Sequence, residues 1–470
     1  MKTTSVLLGL AFAAQLSALG SAPDWPQFRG PNSSGLNAGG HPPSSFGPGS
    51  NVLFKVEAPR GLSSPCAAGG RVFLTAADGG RLLTLAFDGA TGKQIWKQSI
   101  DADKPREMHK RNDPAASTPA TDGQSVCVYH ATFGLVAYDV SGKELWRKPM
   151  PGMLARNGSG TSPAMIEGRL ILNCDVEESK SFLAAYDPAT GKELWRTSRP
   201  TFISGYTTPM LWSHEDRKDI VVSGSLQVTG YDLSDGKERW HVGGTEAVSV
   251  CPTPVEGAGQ LYIMSRSMGG SKLPPFALFA SSIDKDGDGK ISRDEIPRPF
   301  IEQGMFSGLD RNQDGFITEK EWTDALAMFA KAEFGIFALK TPVDGELGTN
   351  SIVWKHKKGV ASISTPLFLN GRVYVVQDGG RLTCYDAKTG AKAYEQERLD
   401  ADGDYYASPI AANGLIYLCS TRGVVSVVRD GEKLEVAAKN DLQEPIFATP
   451  AIVGDRLYVR TDSHLWSFGR

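Results

Sequence analysis

Apolar positions in this chain fall in short alternating runs that break at glycine-containing turns, the pattern of β-hairpins. Leu183 to Arg196 reads L-A-A-Y-D-P-A-T-G-K-E-L-W-R. The run alternates toward an aspartate turn, breaks at Thr190-Gly191 and resumes as a strand ending in tryptophan. The same sentence ends at Trp96, Trp146 and Trp240, and in weaker form at Tyr394. Self-similarity of this kind sets the whole architecture.

A Ser/Thr-Pro pair opens each unit. The prolines are Pro65, Pro119, Pro163, Pro209, Pro254, Pro366, Pro409 and Pro450, spaced 54, 44, 46, 45, 112, 43 and 41 residues apart. Units of roughly 40–50 residues with four short strands are propeller blades. The last unit holds two strands without a final partner, and Asn51 to Val56 (N-V-L-F-K-V) can supply it. Pairing the termini removes an exposed edge. The expected fold is all-β: an eight-bladed β-propeller closed by an N-terminal strand, with a small α-helical insert in blade 5.

The expected organisation is a signal peptide at 1–22, blades 1 to 5 (first part) at 23–269 with the closing strand at 51–56, the insert at 270–331, and the rest of blade 5 to blade 8 at 332–470. Residues 1–22 have a basic start at Lys2, an apolar core from Val6 to Ala14 and small residues before Pro23, a secretory pattern too short to span a bilayer. Cleavage is expected after Gly20 or Ala22. No cysteine near the cut offers lipid attachment, so the expected location is periplasmic or secreted. A formal net charge of −3 gives no support for nucleic acid. The six cysteines, Cys66, Cys127, Cys174, Cys251, Cys384 and Cys419, lie in six different units and read as buried single thiols.

The opening D-W-P-Q-F-R-G-P, Asp24 to Pro31, followed by the Y-D-x-x-T-G-K-x-L-W repeats, resembles the bacterial pyrroloquinoline-quinone-like propeller repeat proteins. The resemblance implies an eight-bladed propeller in which Trp96, Trp146, Trp195, Trp240 and Trp354 dock between neighbouring blades. Quinone-dependent alcohol dehydrogenases share that fold and pair it with adjacent cysteines and a central calcium cluster. This chain has no Cys-Cys, and no Glu, Asn and catalytic Asp fall in the matching blades, so the quinone is not an expected cofactor. The resemblance also takes in the propeller subunit of the outer-membrane β-barrel assembly machinery, which docks other proteins.

The 112-residue gap carries the specific chemistry. Asp284 to Glu295 reads D-K-D-G-D-G-K-I-S-R-D-E and Asp310 to Glu321 reads D-R-N-Q-D-G-F-I-T-E-K-E, both matching the EF-hand calcium loop. Calcium takes roughly six to eight oxygens, drawn from loop positions 1, 3, 5, 7, 9 and 12. Those positions are Asp284, Asp286, Asp288, Lys290 (backbone), Ser292 and Glu295, then Asp310, Asn312, Asp314, Phe316 (backbone), Thr318 and Glu321. Two calcium ions are expected, the first loop binding more tightly because Asn312 replaces a carboxylate. Ile291 and Ile317 stand at position 8, where paired loops form a short β-bridge.

The loops begin 310 − 284 = 26 residues apart with Pro297 and Pro299 between them. The first exit helix is therefore expected to be a stub, with Pro299 to Leu309 leading into the second loop. Lys320 to Lys331 reads as the final helix, with Trp322, Leu326 and Phe329 on one face. The insert is expected on the face carrying His109, Lys110, Arg111, Asn112, Arg156 and Asn157, polar candidates for a funnel mouth.

The expected function is an exported calcium-binding scaffold for an unknown protein or small ligand at the propeller face, a monomer without a transmembrane segment. The alternative is a quinoprotein oxidoreductase or another enzyme using the funnel.

Overall fold

A computed structural model describes residues 25–101, 108–109, 112–150, 153, 155, 157–158, 160–176, 180–266, 274–298, 306, 309–310, 312 and 314–470. The expected signal segment, Lys110, Arg111 and Arg156 lie outside the described residues.

Eight antiparallel sheets succeed one another along the chain. Blade 1 comprises Cys66–Ala68, Arg71–Asp78, Arg81–Asp88 and Gln94–Asp101. Blades 2, 3 and 4 span 120–149, 164–198 and 210–243, and blades 6 and 7 span 367–398 and 410–441. Blade 8 is completed as its period demanded: Val52–Glu57 pairs antiparallel with His464–Phe468, with Val52 opposite Phe468 and Glu57 opposite His464. The strand begins one residue later than the sequence pattern indicated.

Middle strands are buried on both faces, as in Ser125–His130, whereas outermost strands alternate, as in Glu144–Pro149. Apolar residues therefore meet between blades rather than in one central core. Phe73 and Trp96 of blade 1, for instance, cluster with Val126, Val136 and Tyr138 of blade 2.

The Ser/Thr-Pro markers do more than open the blades. The backbone N–H of Ser64 donates to Thr118 Oγ1 at 3.0 Å, Thr118 to Ser162 Oγ at 3.0 Å, and Thr208 to Thr253 Oγ1 at 3.2 Å. The series continues from Thr253 to Thr365, Thr365 to Ser408 and Ser408 to Thr449, and Thr449 returns to Ser64 Oγ at 3.1 Å. A buried amide needs a partner, and here seven of these hydroxyls supply one for the blade before.

Tryptophan docking follows a second rule. Trp96 Nε1 donates to Val140 O at 3.0 Å, Trp146 to Pro188 O at 2.8 Å, Trp195 to Leu233 O at 3.2 Å and Trp354 to Ala387 O at 2.9 Å. Each indole lies against the glycine turn of the next blade. A Cβ added to Gly142 (φ +94°) would stand 2.7 Å from Trp96 Cγ. Trp240 departs from this expectation. Its indole donates instead to Asp219 of its own blade, at 2.8 Å. In blade 5 the corresponding connection places Gly345–Leu347 as a strand in parallel against Trp240–Val242, and a Cβ at Gly345 would meet nothing within 4 Å.

Residues 25–46 form a strap that the alternation pattern did not reveal. Trp25 exchanges two backbone bonds with Ala67 of blade 1, and Pro26 O accepts from Thr121 of blade 2 at 2.8 Å. Gln27 Oε1 accepts from Met165 N of blade 3 at 2.7 Å. Asn32 is bonded twice, at 2.8 Å each, to the Leu211 backbone of blade 4. Arg29 donates to Pro366 O and Pro409 O at 2.9 and 3.3 Å. Leu36–Asn37 adds a parallel strand to Ile410–Ala412 of blade 7, and Asn37 donates to Ile452 O of blade 8 at 3.0 Å. The strap thus runs past the innermost strands of blades 1 to 4, 7 and 8.

Candidate functional site

Blade 5 is interrupted between its second strand, Gln260–Ser265, and its third, Gly335–Lys340, which pair directly. Between them lie helix α1 (Phe276–Ile283), the two acidic loops and helix α2 (Glu319–Lys331). The insert has its own core: Phe276, Ile291, Ile296, Phe306, Leu309, Ile317, Trp322 and Ala325 are all buried. The Trp322 ring stacks on Phe279 with centroids 4.1 Å apart, and its indole donates to Pro274 O at 2.8 Å. Leu326 and Phe329 pack beside it half-buried. Of the stretch expected to lead into the second loop, Phe306 and Leu309 are described and helical.

The loops are joined where position 8 was expected to join them. Ile291 pairs antiparallel with Ile317, and Ser292 with Phe316. Both isoleucines are fully buried.

Each loop carries the same internal ladder. The position-1 carboxylate accepts from the glycine at position 6: Gly289 N to Asp284 Oδ2 and Gly315 N to Asp310 Oδ2, both at 3.1 Å. Position 3 accepts from position 5: Asp288 N to Asp286 at 3.2 Å and Asp314 N to Asn312 Oδ1 at 3.0 Å. Position 5 accepts from position 7: Lys290 N to Asp288 at 2.8 Å and Phe316 N to Asp314 at 2.9 Å. Glycine is required at position 6 because the turn has φ +80° at Gly289 and +90° at Gly315.

The closing glutamates are held by backbone donors. Glu295 accepts from Lys285 N at 2.8 Å and from Ser292 N and Oγ at 2.7 Å. Those N–H groups, Lys285 first, hold its carboxyl down at about 2. Glu321 accepts from Thr318 N at 3.0 Å, and Thr318 Oγ1 accepts from Glu321 N at 3.3 Å, a capping box that starts α2. The glutamate that completes the capping box is the twelfth loop position.

Carboxylate oxygens of Asp284, Asp286 and Glu295 lie within 4.8 Å of one another. Such a cluster of hard oxygen donors, already turned inward by backbone bonds, has the chemistry that calcium takes.

The expected funnel-mouth residues have structural partners. Asn112 Nδ2 donates to Asn157 O at 2.8 Å, and Asn157 Nδ2 to Ser249 Oγ at 3.4 Å. They lace the connections that precede blades 2, 3 and 5. His109 O accepts from Asn112 N at 2.7 Å. Beside them runs a buried network that no short motif announces. Arg199 forms a two-point ion pair with Asp175 at 2.8 and 2.9 Å and also donates to Tyr231 Oη. The six cysteines are free thiols; five are buried and Cys251 is half-buried.

Eight closed blades, tryptophan docking and a paired EF-hand insert define a propeller repeat protein with a grafted calcium-type module. The chain belongs to the family described as outer membrane protein assembly factor BamB, whose model matches residues 82–267 and 345–465. An EF-hand model matches residues 281–300 and 301–326. A BamB of Kangiella koreensis is 29% identical over 204 residues, 40% of this chain and 46% of that protein. The chain spans less than half the length of the curated relatives it matches. Among solved structures, BamB from Moraxella catarrhalis aligns with a TM-score of 0.55 at 12% identity, over 89% of this chain and 97% of that one. The quinohemoprotein alcohol dehydrogenase of Comamonas testosteroni aligns with a TM-score of 0.57 at 12% identity, over 96% and 81%. At that identity the likeness is one of fold alone. Among the described residues no helix is long and apolar enough to cross a membrane.

Proposed function

We propose that this chain is an exported calcium-binding β-propeller that serves as a protein-binding scaffold, with two calcium ions ordering the insert in blade 5. The observation that carries the reading is the shared hydrogen-bond ladder of the two loops, joined through Ile291 and Ile317. The calcium ligands are Asp284, Asp286, Asp288, the Lys290 carbonyl, Ser292 and Glu295, and in the second loop Asp310, Asn312, Asp314, the Phe316 carbonyl, Thr318 and Glu321. The compact linkage between the loops suits a constitutive structural site better than a sensor that opens a groove. The assembly role named for its relatives supports docking rather than catalysis. Location in the periplasm or outside the cell rests on the N-terminal pattern and on the outer-membrane context in those relatives' names.

Calorimetric titration of the wild-type chain and the Glu295→Gln/Glu321→Gln variant tests the reading. Two ions bound by the wild type and none by the variant support it. An ion retained by the variant points to a metal site elsewhere in the ring and brings forward the quinoprotein alternative. No uptake by the wild type refutes the calcium assignment.

A further inference from the structure

The insert leaves blade 5 at Arg266 and returns at Phe334, and a cleft opens where these roots meet the edge of blade 6. It is lined by Arg266, Phe334, Lys357, Val360, Gln377 and Asp378. Its acidic groups are already engaged. Asp378 accepts from Tyr405 N at 3.0 Å and from Ser362 Oγ at 2.9 Å, and it faces Arg266 at 3.6 Å. Nearby Glu333 is committed to Lys355. Lys357 lies over the exposed Phe334 ring, 5.9 Å from its centroid, and makes no ion pair of its own among the described residues. Lys358 beside it is exposed as well. Lys357 is therefore the lining cation left without an ion pair, and it stands beside an exposed aromatic ring in an otherwise mainly polar cleft.

One acceptor also lacks a donor. Gln377 Nε2 donates to Val360 O at 3.0 Å, while its Oε1 is buried with no hydrogen-bond partner. Such a group costs free energy until an N–H reaches it. A ligand offering a carboxylate, an apolar side chain and an N–H would meet all three demands, and an extended acidic peptide offers them together. The net charge of −3 disfavours a polyanion such as nucleic acid as the occupant.

We propose that this cleft at the root of the insert docks an acidic, apolar-flanked peptide segment of a partner protein, with Lys357 and Arg266 facing its carboxylate, Phe334 and Val360 its apolar side chain and Gln377 its backbone N–H. The proposal deepens the scaffold reading and rests on it.

Fluorescence anisotropy with the full chain tests it, using a dye-labelled acetylated peptide that alternates phenylalanine with glutamate. A phenylalanine–lysine peptide serves as the charge control. The acidic peptide is expected to bind, to lose about tenfold or more in affinity with Lys357→Glu and with Phe334→Ala, and to weaken as salt rises. Both substituted side chains are exposed, so the ring is expected to stay folded. Failure of the acidic peptide to bind, equal binding to the variants, or equal binding of the lysine peptide overturns the site. Calcium uptake is read separately, so loss of this site and loss of the calcium reading are distinguishable.

Discussion

The Thr449 backbone amide donates to Ser64 Oγ at 3.1 Å across 385 residues of sequence. That bond joins blade 8 to blade 1, where the other hydroxyl links of this kind run between blades that are neighbours in sequence. Ser64→Ala leaves the buried Thr449 amide without a partner, which costs about 1–3 kcal/mol. Ser64→Thr keeps the hydroxyl and is expected to stay near wild type. Urea unfolding of the two variants checks the pair; equal loss in both would make bulk rather than the hydrogen bond responsible.

Gly142 and Gly123 both have positive φ, +94° and +86°, but they differ in what surrounds them. A Cβ at Gly142 meets the Trp96 ring at 2.7 Å, whereas a Cβ at Gly123 meets nothing within 4 Å. Gly123→Ala is expected to cost about 1–2 kcal/mol of backbone strain alone. Gly142→Ala adds overpacking of about 1–3 kcal/mol. Thermal melts of the two variants should separate accordingly, with indole docking responsible for the difference.

Calcium should act on the insert far more than on the ring. At a free calcium concentration about a hundredfold above the dissociation constant, a site is stabilised by about 2.7 kcal/mol. The amides of the Ile291–Ile317 bridge are then expected to exchange about a hundredfold more slowly, while those of blade 2 stay unchanged. Exchange measured with calcium and with chelator decides the matter.

Asn312 occupies the position that Asp286 holds in the first loop. Replacing it with aspartate adds a carboxylate to the weaker site. Asn312→Asp is expected to bring the two calorimetric steps closer together; a wider separation would contradict the assigned order of affinities.

His130 is fully buried, and neither ring nitrogen has a hydrogen-bond partner among the described residues. Burial lowers its pKa to about 4 from the ordinary 6.5. The unfolded chain therefore binds a proton between those values that the folded chain does not. Stability is full above pH 6.5 and falls as pH drops toward 4, by up to about 3 kcal/mol. His130→Leu should flatten that portion of the stability–pH curve, which urea midpoints across the range will show.

The blades and the EF-hand loops were readable because their information is local or periodic. Trp96, Trp146 and Trp195 repeat at a fixed offset from a glycine turn, and the loop ligands occupy alternate positions in one short segment. What stayed hidden depends on partners far away in the chain. Arg29 finds Pro366 and Pro409 more than three hundred residues on, and nothing around it alternates. Trp240 carries the repeat signature, yet its indole turns to Asp219, and the connection in blade 5 lies against it as a parallel strand. Arg199 and Asp175 stand 24 residues apart, on a strand end and a loop, with no motif to join them. The cleft beside Lys357 joins Arg266 and Phe334, which the insert separates in sequence, to Gln377 and Asp378 of blade 6.

The strap and the closing strand also impose an order of events. A chain made from its N-terminus presents Trp25 to Glu57 before any of blades 6, 7 and 8 exists. Of these, Arg29, Leu36–Asn37 and Val52–Glu57 must remain unspent until Pro366, Ala411, Ile452 and Phe468 have emerged to receive them. The first segment synthesised is thus among the last to settle, and the ring locks only when nearly the whole chain is present.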